Sequence, residues 1–282
     1  MNQTFFSSLE NYQVHAEPTT EARYPWIARV VHSRTQDIPH MCTAACIEER
    51  IFITAARCIY NLKVPYTTVL YLYSRLPAQA FVVPSNGSKQ AFDDIGFIVV
   101  QDAYKGVWAT IALFDKTNRT DDGFKWFADL NLSYGPIEHK VVGYATEKGI
   151  HRIKAADRKF DLSELIVIVS INICNTILTF NHQIKGFHVP CYHSCNLHQF
   201  QYNDDKCKKY HGVEGGVIFD TRTNKLLGIA TWGPYFRKYE LPVGFAVPNS
   251  ENFFDDYSCA RRIRNDNGEL AGISYQSLCE NA

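Results

Sequence analysis

Along nearly its whole length the chain alternates short runs of β-branched and aromatic residues with turn chemistry. The runs are WIARVVHS (26–33), RIFITAA (50–56), FVVP (81–84), IGFIVVQD (95–102), TIALF (110–114), KVVGYAT (140–146), LIVIVSINI (165–173), GVIFD (216–220), KLLGIATWG (225–233) and VGFAVP (243–248). Residues of this kind fit a pleated, half-buried surface, and the intervals between them carry no amphipathic helical pattern. Many short strands without crossover helices predict an all-β sandwich or barrel rather than a parallel α/β sheet.

Within that pattern, GVIFDTRTNKLLGIATWG reads as a hairpin turning at Thr221-Arg222-Thr223-Asn224, and polar DKTNRTDDG (115–123) reads as a linker between two halves. After Pro248, SENFFDDYSCARRIR predicts one short helix over about 250–264, capped by Ser250 or Asn249, with acids early and bases late to match the helix dipole. Residues 265–282 form a polar, weakly patterned tail, and no repeat of solenoid period is present.

A chain of 282 residues with 46% hydrophobic content can fill a substantial core. Lys plus Arg and Asp plus Glu both number 29, so no global field draws it to nucleic acid or an anionic membrane. The most apolar run, Leu165 to Cys174, is too short to cross a hydrocarbon layer of about 30 Å as a helix. Nine cysteines, not arranged as paired C-x2-C knuckles, read as disulfides with an odd one free or intermolecular. Sequons at Asn2, Asn86, Asn118 and Asn131 are candidate glycosylation sites and suit an extracellular, secreted glycoprotein. Against this, MNQTFFSSLENY has neither the basic nor the apolar region of a signal peptide.

Five motifs in order carry a family resemblance: YPWIARV (24–30), CTAACIEERIFITAARC (42–58), ATIALF (109–114), GVEGG (212–216) and GIATWG (228–233). Together they resemble the trypsin/chymotrypsin-like serine proteases, from about residue 13 to about residue 264. The resemblance implies two six-stranded antiparallel β-barrels with a short C-terminal helix. It places an extension at 1–12, the first barrel at about 25–118, the second at about 124–248, the helix at about 250–264 and the tail at 265–282.

The family's chemistry needs a hydroxyl nucleophile, an imidazole that takes and returns its proton, and a carboxylate that orients the imidazole. Carried over motif by motif, the histidine position is Arg57, the nucleophile position Glu214 and the aspartate position Thr110. FDDIGFIVV also looks like the aspartate strand and would put Asp94 there instead. A guanidinium stays protonated and cannot act as a base, and a carboxylate offers no hydroxyl. Arg57 and Glu214 either pair across the old cleft or both face water.

Further features of the family are altered by the same carry-over. Gln13 to Pro18, preceded by Tyr12, stands where the activating N-terminus is released, and Val213 stands where its partner aspartate would be. The former oxyanion hole maps to the N–H groups of Gly212 and Glu214. The former primary pocket maps to Asp205, Thr231, Trp232, Gly233 and Val243, with Val243 narrowing it.

The resemblance also implies the disulfides Cys42–Cys58 and Cys174–Cys191. Cys195 is a substitute partner for Cys207, and Cys259 pairs with Cys279 or bonds another molecule, while Cys46 has no assignment. A further family disulfide is missing at both ends, where this chain has Asp220 and the region around His139. His188, His193 and His198 lie among cysteines, but Cys191 is claimed by a disulfide, so no metal and no cofactor is expected.

The expectation is a catalytically inactive homologue, a pseudoprotease that acts as an extracellular protein-binding regulator or cofactor, its partner an active serine protease or that protease's substrate. A secreted structural or adhesive protein, cross-linked as a disulfide-bonded dimer, is the alternative. A residual serine-type endopeptidase is the least favoured reading. Neither nucleic acid nor a membrane span is expected.

Overall fold

The computed structural model describes residues 17–32, 42–84, 94–113, 139–145, 161–170, 191–193, 214–232, 243–248 and 251–266. Six antiparallel strands close the first barrel: β2 (Ile27–His32), β3 (Cys42–Glu48), β4 (Ile51–Ala55), β7 (Ile95–Val100), β6 (Ser74–Val82) and β5 (Thr67–Tyr71), in that spatial order. Strand β4 is buried at every position and β5 alternates buried with half-buried, as a barrel wall with one wet face requires.

Tight turns close these hairpins. Leu72 and Tyr73 occupy left-handed backbone (φ 43° and 64°), the conformation that lets a two-residue connection follow strand twist. Arg50, also left-handed at φ 64°, is held by donation from Nε to Val100 O at 3.0 Å, Nη1 to Arg264 O at 3.1 Å and Nη2 to Gln79 Oε1 at 2.7 Å.

The second sheet contains β9 (His139–Ala145), β10 (Asp161–Ser170), β11 (Cys191–His193), β14 (Val243–Ala246), β13 (Lys225–Trp232) and β12 (Val217–Asp220). Its pairings run from β9 through β10, β11, β14, β13 and β12 and return to β9, so they too close on themselves. Two short strands join at its margins: β1 (Glu17–Pro18) against β10, and β8 (Ala112–Leu113), parallel to β13. The turn at 221–224 forms as the sequence predicts. Asp220 shapes it by accepting from the Arg222 N–H at 3.1 Å and the Thr223 hydroxyl at 2.7 Å, and Asn224 takes φ 54°.

Two α-helices and a 3₁₀ turn at Val64–Tyr66 are the helical segments among the described residues. The four-residue α1 (Ala56–Ile59) follows β4 directly: the Ala56 N–H still bonds in the β4–β7 register, to Asp94 O at 3.1 Å, and the next N–H, of Arg57, turns to the Asp94 side chain. The C-terminal α2 (Glu251–Asn265) buries Phe253, Tyr257, Ala260 and Ile263, one stripe at helical spacing, against the first barrel. Phe97 of β7 stacks on Tyr257 with ring centroids 5.6 Å apart and packs on Phe253 at 5.5 Å. Around this stripe the Glu48 carboxylate accepts from the Tyr257 hydroxyl at 2.5 Å, from Arg264 Nη1 at 2.7 Å and from Arg261. Burial alone would raise the Glu48 carboxyl, but Arg261, Tyr257 and Arg264 outweigh it and hold it below its usual range.

Strand β1 and the turn after it are fastened to the second sheet by a second ionic node. Glu164, 5% exposed, accepts from the Tyr24 hydroxyl at 2.6 Å and Lys140 Nζ at 3.0 Å, and pairs with Arg23 at 3.0 Å. Tyr144 adds a bond to Glu21 at 2.7 Å. Within the predicted strand TIALF, Ala112–Leu113 pair as β8, and the N–H of Ile111 just before them donates to Cys46 O at 2.9 Å.

Candidate functional site

The two barrels meet where the end of β4 faces the loop leading into β12. Thr43 of β3 is the hinge of this contact. Its N–H donates to Glu214 O at 3.0 Å, its carbonyl accepts the Thr54 hydroxyl at 2.7 Å, and its own hydroxyl accepts the Tyr144 N–H at 2.9 Å. Gly215 continues the loop at φ 78°, where a Cβ would lie 1.9 Å from Thr43 O and 2.5 Å from Thr54 Oγ1. Only glycine passes there without displacing β3. The Gly215 N–H donates to Ala230 O and the Ala230 N–H to Gly216 O, both at 2.8 Å, so the loop is also tied to β13.

On the first-barrel side, the Cys42–Cys58 disulfide (Cα separation 5.9 Å) joins α1 to the start of β3, as the resemblance implied. Ala55 is the register partner of Ile95, which brings Asp94 beside α1. Asp94 is fully buried. Its Oδ1 accepts from the Arg57 N–H at 3.0 Å and its Oδ2 from Arg57 Nε at 2.5 Å, while the Arg57 side chain stays 36% exposed. A buried carboxylate requires such charge-assisted partners.

It is therefore Asp94, not Thr110, that lies against Arg57. Thr110 is exposed on the segment between β7 and β8, next to Ile111 with its bond to Cys46. Arg57 takes Asp94 as its ion-pair partner, and among the described residues no ion pair joins it to Glu214. Glu214 is half-buried. Sequence reasoning offered Asp94 as one of two candidates, and the signal that selects it is the β4–β7 register rather than any local motif.

The other expected positions divide. Thr231 is fully buried in β13 with no partner for its hydroxyl, and Trp232 ends the same strand. Val243 begins β14, opposite Tyr192. Cys191 lies in β11 opposite Gly244, and Cys259 is buried and disulfide-bonded. Asp205, Gly212, Gly233, Cys174, Cys195, Cys207, Cys279, Asn2, Asn86, Asn118, Asn131, His188 and His198 lie outside the described residues, as does the expected linker 115–123. Cys46 is a buried free thiol, its Sγ 3.2 Å from Glu48 O, and burial pushes its pKa up to about 12. A thiol so placed does not ionise at neutral pH. Among the described residues no cluster of three His, Cys, Asp or Glu could hold a metal, and no helix is long and apolar enough to cross a membrane.

Two antiparallel β-barrel sheets with a C-terminal helix, meeting at a loop of this geometry, define a trypsin-like double-barrel fold. The family model for Trypsin matches residues 13–120, which is the first-barrel portion of the chain. Among solved structures, the Vibrio cholerae VesB protease is similar at 16% identity and a TM-score of 0.55, over 87% of this chain and 66% of that one. Two scabies mite proteins described as inactivated protease paralogues are also similar. Paralogue S-D1 shows 14% identity and a TM-score of 0.58 over 89% of this chain and 97% of its own, and S-I1 shows 15% and 0.56 over 86% and 96%. At these identities the likeness is one of fold. No curated protein matches the sequence.

Proposed function

We propose that this chain is a catalytically inactive serine protease homologue that works by binding protein, as an extracellular regulator or cofactor of active proteases. The observation that carries this reading is the Arg57–Asp94 pair. In the resemblance, Arg57 stands at the base position, and here its guanidinium is held on a buried carboxylate. A guanidinium cannot accept the proton of a nucleophile. Glu214, at the corresponding nucleophile position, brings a carboxylate in place of a hydroxyl. The fold shared with two proteins described as inactivated paralogues supports the same direction. The Cys42–Cys58 disulfide and the four sequons support an extracellular setting.

The test is incubation with a fluorophosphonate probe, read by intact mass, with trypsin in the same tube as positive control. The expected result is labelled trypsin and unmodified homologue. An adduct on this chain would overturn the inactive reading. The regulatory half is tested by titrating the protein into a peptide-cleavage assay of a secreted serine protease from the same source. A change in kcat/KM is expected, and an unchanged value at saturating concentration counts against it.

A further inference from the structure

Arg57 is oriented by one edge and open at the other. Its Nε donates to Asp94 Oδ2, and among the described residues neither Nη group has a partner, although the side chain is only 36% exposed. Three other arginines spend their forks internally: Arg50 on Val100, Arg264 and Gln79, and Arg261 and Arg264 on Glu48. Asp94, fully buried, takes the inner edge, so the group of this pair that meets solvent is the cation.

The surrounding sequence is charge-segregated. Between Glu49 and Asp93 the chain has no acidic residue, while Arg57, Lys63, Arg75 and Lys89 all fall there. This occurs in a chain whose formal net charge is zero. Lys63 is exposed, and Tyr60, 59% exposed, lies between it and Arg57 at intervals of three residues. Glu214 is not the ion-pair partner of Arg57, and its carbonyl is tied to Thr43.

We propose that Arg57 is the docking point for a carboxylate, an aspartate or glutamate side chain of a protein partner received at the rim of the old cleft. The fixed fork presents paired donors in the geometry a carboxylate accepts. Tyr60 and Lys63, exposed at three-residue intervals after Arg57, offer the same partner an aromatic ring and a second cation. This rests on the reading of the chain as a non-catalytic binding module and names the chemistry of what the module binds.

The test compares a fluorescein-labelled twelve-residue peptide of alternating Gly and Glu with its Gly and Lys counterpart, by anisotropy on the full chain. The Glu peptide binds and the Lys peptide does not. Arg57→Gln alone strips the counter-charge from buried Asp94 and threatens the fold, so the decisive variant is the double R57Q/D94N. It keeps a neutral hydrogen-bonded pair and leaves net charge unchanged, so a loss cannot be a general charge effect. Affinity for the Glu peptide falls about tenfold or more in that variant. In the wild type, labelled with ¹⁵N-arginine, the Arg57 Nη resonances shift on adding the Glu peptide.

Equal binding of the two peptides, an unchanged affinity in R57Q/D94N, or unmoved Arg57 resonances would each overturn the proposal. Fluorophosphonate labelling of the same sample separates it from the reading it rests on. Failed peptide binding without an adduct removes this inference alone, whereas an adduct removes the inactive reading.

Discussion

His139 and Asp220 stand opposite each other as Cα partners on β9 and β12, one 6% and the other 0% exposed. His139 Nε2 has no hydrogen-bond partner, while Asp220 is occupied by the turn that follows it. Burial pulls the His139 pKa down to about 4; Asp220 opposes this and Arg222, 3.7 Å from Asp220, adds to it. The folded pKa lies below the unfolded value of about 6.5, so between the two the unfolded chain binds more protons. The stabilisation is fully present above about pH 6.5 and is lost as pH falls towards about 4. Unfolding free energies from urea titrations at pH 7 and pH 4.5 are expected to differ by an amount of order 2–3 kcal/mol, and His139→Gln is expected to shrink the difference.

Gly215→Ala places a methyl group where Thr43 O lies 1.9 Å away, at φ 78°. Both the backbone conformation and the space reject it, so β3 must move or the loop must leave β13. A loss of about 3 kcal/mol or more is expected, measured by denaturant unfolding or seen as failure to accumulate folded protein.

Glu48→Gln removes the charge on which Arg261, Arg264 and the Tyr257 hydroxyl converge from α2. Arg261 is half-exposed and Arg264 less so, which keeps the expected cost to roughly 1–2 kcal/mol. Because the Glu48 carboxyl is held below its usual range, the wild-type protein keeps this contribution above the ordinary carboxylate pKa and loses it as pH falls through the lower folded value. Amide exchange should rise throughout 251–265 in the variant, and an unchanged exchange profile would show that the clamp contributes nothing.

Asp94 is placed to orient more than a guanidinium, since it already bonds both the backbone N–H and the side chain of residue 57. An imidazole on the same backbone could donate one ring N–H to Oδ2 and turn the other nitrogen outward. The double variant R57H/E214S is therefore expected to react detectably with a fluorophosphonate, and neither single variant is. Silence of the double variant in a folded protein would show that changing these two positions is not enough to make a reactive serine.

Much of the architecture is written locally. β4, β7, β9, β12 and β13 each correspond to a β-branched run, because alternation and burial demand the same residue types wherever the strand finally pairs. β5 and the start of β6 are not among those runs: TTVLY is a five-residue segment with no Gly or Pro immediately on either side, and SRLPA is interrupted by Pro77. α1 begins inside RIFITAA, where Ala56 still bonds in the β4–β7 register and the strand gives way as the Arg57 N–H turns to the Asp94 side chain. A four-residue helix has too little periodicity to be read.

Contiguous motifs settle chemical identity without the fold: an arginine in ITAARC and a glutamate in GVEGG, to which the family resemblance adds the Cys42–Cys58 bridge. Those statements need no distant partner. Which of the two candidate residues, Asp94 or Thr110, meets Arg57 was decided only in three dimensions. Both lie beside runs that read as strands, and the choice between them falls to the register that sets Ala55 opposite Ile95. His139 and Asp220, 81 residues apart along the chain, are brought opposite each other by the pairing of β9 with β12, at the two ends of the missing disulfide that the resemblance marked. Register is a property of whole sheets, fixed by which faces can be buried together, and no local stretch of residues contains it.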